Sequence, residues 1–186
     1  LLVRHGGESY PGLPRGYTPP VVPLSAVLIA QDEEKTIGDA LASVAFCDEI
    51  VVVDSGSTDG TRDVAEAAGA RVVVNAPWPG FTAQRDFATR AARHDWVLAL
   101  DADERVGDAL REEVQALRAR GFAAAGYRIP RVARYLGRWI RATDWYPDWQ
   151  VRLFDRTRGA WQGDLVHESF VVRGPVGRLR GDLEHH

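Results

Sequence analysis

The 186 residues carry 23 basic and 26 acidic side chains for a net charge of −3, and 45% of them are hydrophobic. That balance describes a water-exposed globular domain with room for one sizeable core, and it gives no overall electrostatic reason to expect a nucleic-acid partner. The single cysteine, Cys47, excludes an internal disulfide and a cysteine-rich metal site, and no apolar run approaches the roughly 18 residues of a membrane span.

Residues 1–22 hold Pro11, Pro14, Pro19 and Pro20 among several glycines and show no apolar period, so they are expected to form an extended or disordered arm. One domain is expected over 23–184. The chain begins without Met and ends Leu-Glu-His-His, which reads as the start of a purification tag, so 185–186 are expected to be a tag remnant without function.

Leu24 to Ala30 reads as a buried first strand, followed by the polar turn Gln31-Asp32-Glu33-Glu34 and a helix whose apolar face is Ile37, Leu41 and Val44. A second apolar strand, Glu49 to Val53, runs into Asp54. Ser55-Gly56-Ser57-Thr58-Asp59-Gly60-Thr61 then opens a helix through Val64, Ala65 and Ala68. Ala70 to Asn75 gives a third strand, Pro77-Trp78-Pro79-Gly80 breaks the chain, and a helix follows over 82–93. Trp96 to Leu100 reads as a strand buried on both faces, and a helix over 108–120 comes after it.

Strands alternating with helices imply an α/β fold with a mostly parallel sheet and helices on both faces, and ligands in such sheets bind beyond the carboxyl ends of the strands. Glu33, Asp54, Asp101 and Asp103 all fall at those ends. Alternation along an extended backbone points Asp101 and Asp103 the same way, so both can reach one hard cation. No glycine-rich phosphate loop follows the first strand, which argues against a nucleotidyltransferase or a dinucleotide-binding enzyme. The second half reads as mixed β structure. Tyr127 to Arg131 looks like an edge strand, and Asp148 lies among Trp145, Tyr146 and Trp149 ahead of an alternating strand ending at Phe154. Arg128, Arg131, Arg134, Arg138 and Arg141 are interleaved with Tyr135 and Trp139, a pattern suited to an anionic acceptor or a membrane surface.

Taken together, Ala30-Gln31-Asp32-Glu33-Glu34, Val52 to Thr61 and Leu100-Asp101-Ala102-Asp103-Glu104 resemble the family 2 glycosyltransferases, inverting enzymes of GT-A fold. Trp145 to Phe154 followed by Val166-His167-Glu168 is similar to the subgroup of β-1,4-glucosyltransferase type that builds the lipopolysaccharide inner core. The resemblance covers residues 24–183 and implies a Rossmann-like GT-A domain with a small mixed β second half. Asp32 departs from it, standing where the family commonly has Asn. It further implies a nucleotide-sugar donor, a UDP-sugar first, a glycan or glycolipid acceptor, and Mg2+ or Mn2+. Asp54 would contact the nucleotide base, with Ser55 and the loop around Glu33 also at the donor. Asp101 and Asp103 would meet the ribose and the cation, and His167 would be a further metal ligand. Asp148 best matches the base that deprotonates the acceptor, with Glu168 as the second choice. The same resemblance places the enzyme in the cytoplasm or peripherally on the inner face of the cytoplasmic membrane. A nucleotide-sugar binding module without catalysis is the other reading.

Overall fold

A computed structural model describes residues 20–142, 145–163 and 168–186. Strands β1 (Leu24–Ala30), β2 (Glu49–Asp54), β3 (Arg71–Val74) and β4 (Trp96–Asp101) alternate with helices α1 (Ile37–Ser43), α2 (Thr61–Ala67) and α3 (Phe81–Ala91). The four strands are parallel, in the order β3-β2-β1-β4. Every residue of β1 is buried, because alternate side chains feed two cores. Leu24, Ala26 and Leu28 join Ile37 and Leu41 of α1 on one face, while Val27 and Ile29 join Ala88 of α3 on the other.

After β4 come β5 (Glu104–Val106), α4 (Asp108–Arg120), β6 (Gly126–Tyr135), β7 (Arg138–Trp139) and β8 (Asp148–Asp155), then β9 (Gly159–Gln162), β10 (Ser169–Val172), β11 (Val176–Arg178) and β12 (Leu183–His185). Helix α4 closes the first core with Leu110, Val114 and Leu117. Strand β8 is antiparallel to β4 and extends the sheet through β6 and β12 to β5. The β9–β10 hairpin covers the second core. Phe154 and Phe170 stack at 3.6 Å, and the Trp161 indole N–H donates to Thr89 Oγ1 at 2.8 Å. A parallel half and a mixed β half are thus both present, as the sequence implied.

Two expectations need correction. The strand at Tyr127 to Arg131 is interior, bonded to β8 along one side. On its other side β6 pairs with β11 over 126–128 and with β12 over 131–133, so Pro130, which has no N–H to give, falls between the two partners. The domain also runs past residue 184, because His185 is paired with Ala133 and Glu104 as the last residue of β12. At the other end, the expected arm lies outside the described residues as far as residue 19. Its tail is held: Val22 N–H donates to the Arg118 carbonyl at 3.0 Å, and Arg118 Nε returns a bond to Val22 O at 3.0 Å.

Cys47 packs against the first core, and burial pushes its thiol up to about 12, with the Arg118 charge opposing and Asp48 adding to the rise. At pH 8 its thiolate fraction is then roughly one in ten thousand. Native protein is expected to resist iodoacetamide at that pH, and unfolded protein to react, as intact-mass measurement would report.

Candidate functional site

The loops after β1 and β2 are laced together by short side chains. Asp32, at φ 55°, takes the Thr58 N–H on Oδ1 at 2.7 Å and donates its own N–H to Ser57 Oγ at 2.9 Å. Glu33 N–H donates to Thr61 Oγ1 at 2.7 Å, and Glu34 exchanges bonds with Asp59 and Gly60. Asp54 is fully buried and spends its carboxylate inside its own loop, on the Gly56 and Ser57 N–H groups at 3.0 Å each and on the Ser57 hydroxyl. Ser55 is buried too. Its N–H donates to Ala30 O, and its hydroxyl accepts from Gln84 of α3 at 2.8 Å. Asp54 and Ser55 therefore build the loop, while Glu33 faces an open cavity.

That cavity, of about 450 Å³, lies at the carboxyl ends of β1 and β4, and Gln31, Glu33, Trp78, Phe81, Asp101, Asp103 and His185 are among its lining residues. Trp78 and Phe81 meet edge to face at 4.9 Å and are 38% and 43% exposed, so their rings offer apolar faces to a ligand. A second cavity, of about 680 Å³, shares both rings and continues between α3 and the β9–β10 hairpin.

The two acids at the end of β4 part company. The strand stops at Asp101 and turns at Ala102, so the side chains line one cavity with different partners. Asp101 accepts from Arg85 at 2.9 Å and from Arg152 at 3.0 Å. Burial acts to raise its pKa, but the Arg152 and Arg85 guanidiniums outweigh that and hold the carboxyl below the usual carboxylate range. Arg152 also reaches the fully buried Glu104 at 3.1 Å, and Glu104 lies 3.4 Å from Arg131. Arg131 grips Asp148 Oδ2 through Nε at 2.8 Å, and Gln150 donates to Asp148 Oδ1 at 2.7 Å. At the other end Arg85 pairs with Glu168 at 3.2 Å. Acids and arginines thus alternate without a break from Glu168 to Asp148. Both oxygens of Asp148 are engaged, whereas Glu168 Oε2 is buried with no hydrogen-bond partner among the described residues.

Asp103 is free of that chain. Its Oδ2 lies 3.0 Å from His185 Nε2, and each side chain keeps about a third of its surface exposed, 35% and 37%. The bond to Asp103 raises the His185 pKa against the opposing effect of burial. Among the described residues no three His, Cys, Asp or Glu side chains gather into a closed cation cage. Two accessible ligands beside open space still fit a hard divalent ion that takes its remaining oxygens from a bound diphosphate and water. Asp101, already held by two arginines, does not add to that set. The expected ligand His167 lies outside the described residues.

Sequence reasoning missed Arg85, Arg152 and His185. Nothing local marks Arg85 in mid-helix, while the alternation Leu183-Glu184-His185 was a legible strand signal. The arginine cluster divides: Arg131 turns inward to Asp148, Arg141 pairs with Asp182 at 2.6 Å, and Arg128, Arg134 and Arg138 make no ion pair among the described residues.

The model of the family described as glycosyl transferase family 2 matches residues 25–180. The lipopolysaccharide core biosynthesis glycosyltransferase LpsC of Rhizobium meliloti (strain 1021) is 36% identical over 172 residues, 89% of this chain and 64% of the relative. An uncharacterized glycosyltransferase of Rickettsia bellii (strain RML369-C) is 43% identical over 93 residues, 50% of this chain and 31% of its own length. The chain therefore spans less than two thirds of either relative. Among solved structures, S. aureus TarS 1-349 shares the fold at a TM-score of 0.54 and 24% identity, over 64% of this chain and 38% of that one. Glucosyl-3-phosphoglycerate synthase from Mycobacterium tuberculosis, in complex with Mn2+, UDP and glucosyl-3-phosphoglycerate, gives a TM-score of 0.50 at 28% identity over 61% of this chain and 44% of that one.

Proposed function

This chain belongs to glycosyl transferase family 2, and from that premise we propose that it transfers a sugar, with inversion, from a UDP-sugar to a saccharide or lipopolysaccharide-core acceptor. The observation that carries the reading is the Asp103–His185 pair, open to a cavity at the carboxyl ends of β1 and β4. Mn2+ and UDP together in the mycobacterial synthase support both the donor and the cation. Asp103 and His185 would hold Mg2+ or Mn2+, which as a Lewis acid neutralises the charge gathering on the departing diphosphate.

The chain's own groups divide the remaining work. Glu33 and the loop shaped by Asp54 and Ser55 hold the nucleoside, and Trp78 and Phe81 offer it faces to stack on. Arg85 and Arg152 fix Asp101 at the ribose side. The acceptor oxygen attacks the anomeric carbon as the bond from that carbon to the diphosphate oxygen breaks, and the hydroxyl proton passes to a carboxylate. Glu168 is the better placed acceptor of that proton, since one of its oxygens has no partner among the described residues, whereas Arg131 and Gln150 occupy both oxygens of Asp148.

Calorimetric titration with UDP, with and without Mn2+, tests the donor site. Mn2+ is expected to tighten UDP binding, and Asp103→Ala to return it to the metal-free level. Binding that ignores Mn2+ would remove the cation from the reading. Binding without transfer to any acceptor would leave a donor-binding module.

A further inference from the structure

The β6–β7 hairpin turns through Leu136 and Gly137, at φ 48° and 79°. Glycine takes this left-handed backbone freely and Asn or Asp tolerate it, which is why two-residue hairpin turns favour Asn-Gly. A leucine is disfavoured there by its Cβ, and this one is 86% exposed, the most exposed large hydrophobic residue among those described. Backbone preference and the hydrophobic effect both oppose leucine at this position, and a side chain kept against both points to a role outside the fold.

Its surroundings say which role. Tyr135 and Trp145, 57% and 56% exposed, meet edge to face at 6.1 Å beside it. Arg138 stands across the ladder from Tyr135 and Arg134 across from Trp139, with the Arg134 guanidinium 5.9 Å from the Trp139 ring. Neither arginine meets a carboxylate within ion-pair distance among the described residues, unlike Arg131 and Arg141 on either side. An aliphatic tip, flanked by aromatic rings and cations, matches the layering of a bilayer surface: acyl chains, then interface, then anionic phosphates. The surface is a projecting turn and not a hollow, which is the wrong shape for enclosing a sugar.

We propose that the Leu136 tip inserts into an anionic lipid surface, with Arg134 and Arg138 at the head-group phosphates and Tyr135 and Trp145 at the interface. Ala133, three residues before the tip, pairs with His185, so the inserted turn stands roughly 10 Å along β6 from the cavity. The docking itself does not depend on the transferase reading. Its consequence, that a lipid-borne acceptor is held beside the donor cavity, does.

The test is sedimentation with phosphatidylcholine vesicles, with and without phosphatidylglycerol, alongside UDP titration and thermal melting of the same samples. The wild type is expected to bind the anionic vesicles, less as salt rises, and not the neutral ones. Leu136→Asn should weaken that binding on the order of tenfold while melting no earlier than the wild type, since Asn-Gly suits the turn. Arg134→Gln and Arg138→Gln should each weaken it about fivefold. All three should bind UDP as the wild type does. A wild type that stays in the supernatant with anionic vesicles overturns the proposal. So does a Leu136→Asn variant that sediments as the wild type does, which would assign the exposed tip to a protein contact. Loss of UDP binding by the wild type would count against the donor site and leave the vesicle result to be judged by itself.

Discussion

Glu168→Gln is expected to lower kcat by about 100- to 10,000-fold while leaving UDP affinity in Mn2+ within about twofold. The substitution keeps the shape of the side chain and removes its ability to take a proton. Glu168 meets Arg85 at 3.2 Å through one oxygen, and the other is buried without a partner among the described residues, so the deficit should appear in the chemical step. Asp148→Asn is expected to cost less than about tenfold, because Arg131 and Gln150 already occupy both of its oxygens. Steady-state kinetics on the pair decides the assignment, and a larger loss at Asp148 would reverse it.

Arg152→Leu is expected to destabilise the fold by about 3–5 kcal/mol, read from chemical denaturation at neutral pH. Arg152 is 4% exposed and the only guanidinium that meets both Asp101 and Glu104 among the described residues. Removing it leaves Asp101 with Arg85 alone and the fully buried Glu104 with no cation nearer than Arg131 at 3.4 Å. The deficit should shrink as pH falls, because burial already pushes the Glu104 pKa upward and a protonated Glu104 no longer needs a cation. Asp101 works the other way in the wild type. Its folded pKa is depressed, so its contribution is present above its unfolded pKa and is lost as pH falls through the folded value. Adding Glu104→Leu to Arg152→Leu should recover much of the loss, since an apolar pair needs no counterion.

The parallel half was legible because its strands are buried on both faces and read as continuous apolar runs, each ending where the chain turns toward the ligand edge. The positions of Glu33 and Asp103 at the cavity follow from that rule alone. Family membership and the α/β fold with a mixed second half were legible from the three loop motifs and the tail, and both stand. What could not be read was partnership. Asp54 and Asp101 look alike in sequence, each an acid after a buried strand, yet one folds its own loop and the other is pinned by arginines from α3 and β8. Those arginines come from 16 positions before Asp101 and 51 after it, and no local pattern announces such a meeting. The edge reading of Tyr127 to Arg131 failed because β6 changes partner along one side around Pro130, and no local pattern shows where one partner strand ends and another begins.

Strand β12 lies between β6 and β5 and brings His185 to Asp103 across 82 positions of chain. Closing a loop of that length costs entropy before any contact rewards it. Asp103 and His185 therefore meet only when β12 of the mixed half is paired in the sheet. A chain without that pairing would carry the loops proposed to hold the nucleoside and lack the pair proposed to hold the metal, and is expected to bind nucleotide weakly and without regard to metal. A donor bound together with its cation would, in turn, draw the population toward the finished state by mass action. If the proposed site is right, readiness for the donor requires the completed sheet, and metal-dependent UDP binding during refolding would report when that pairing is made.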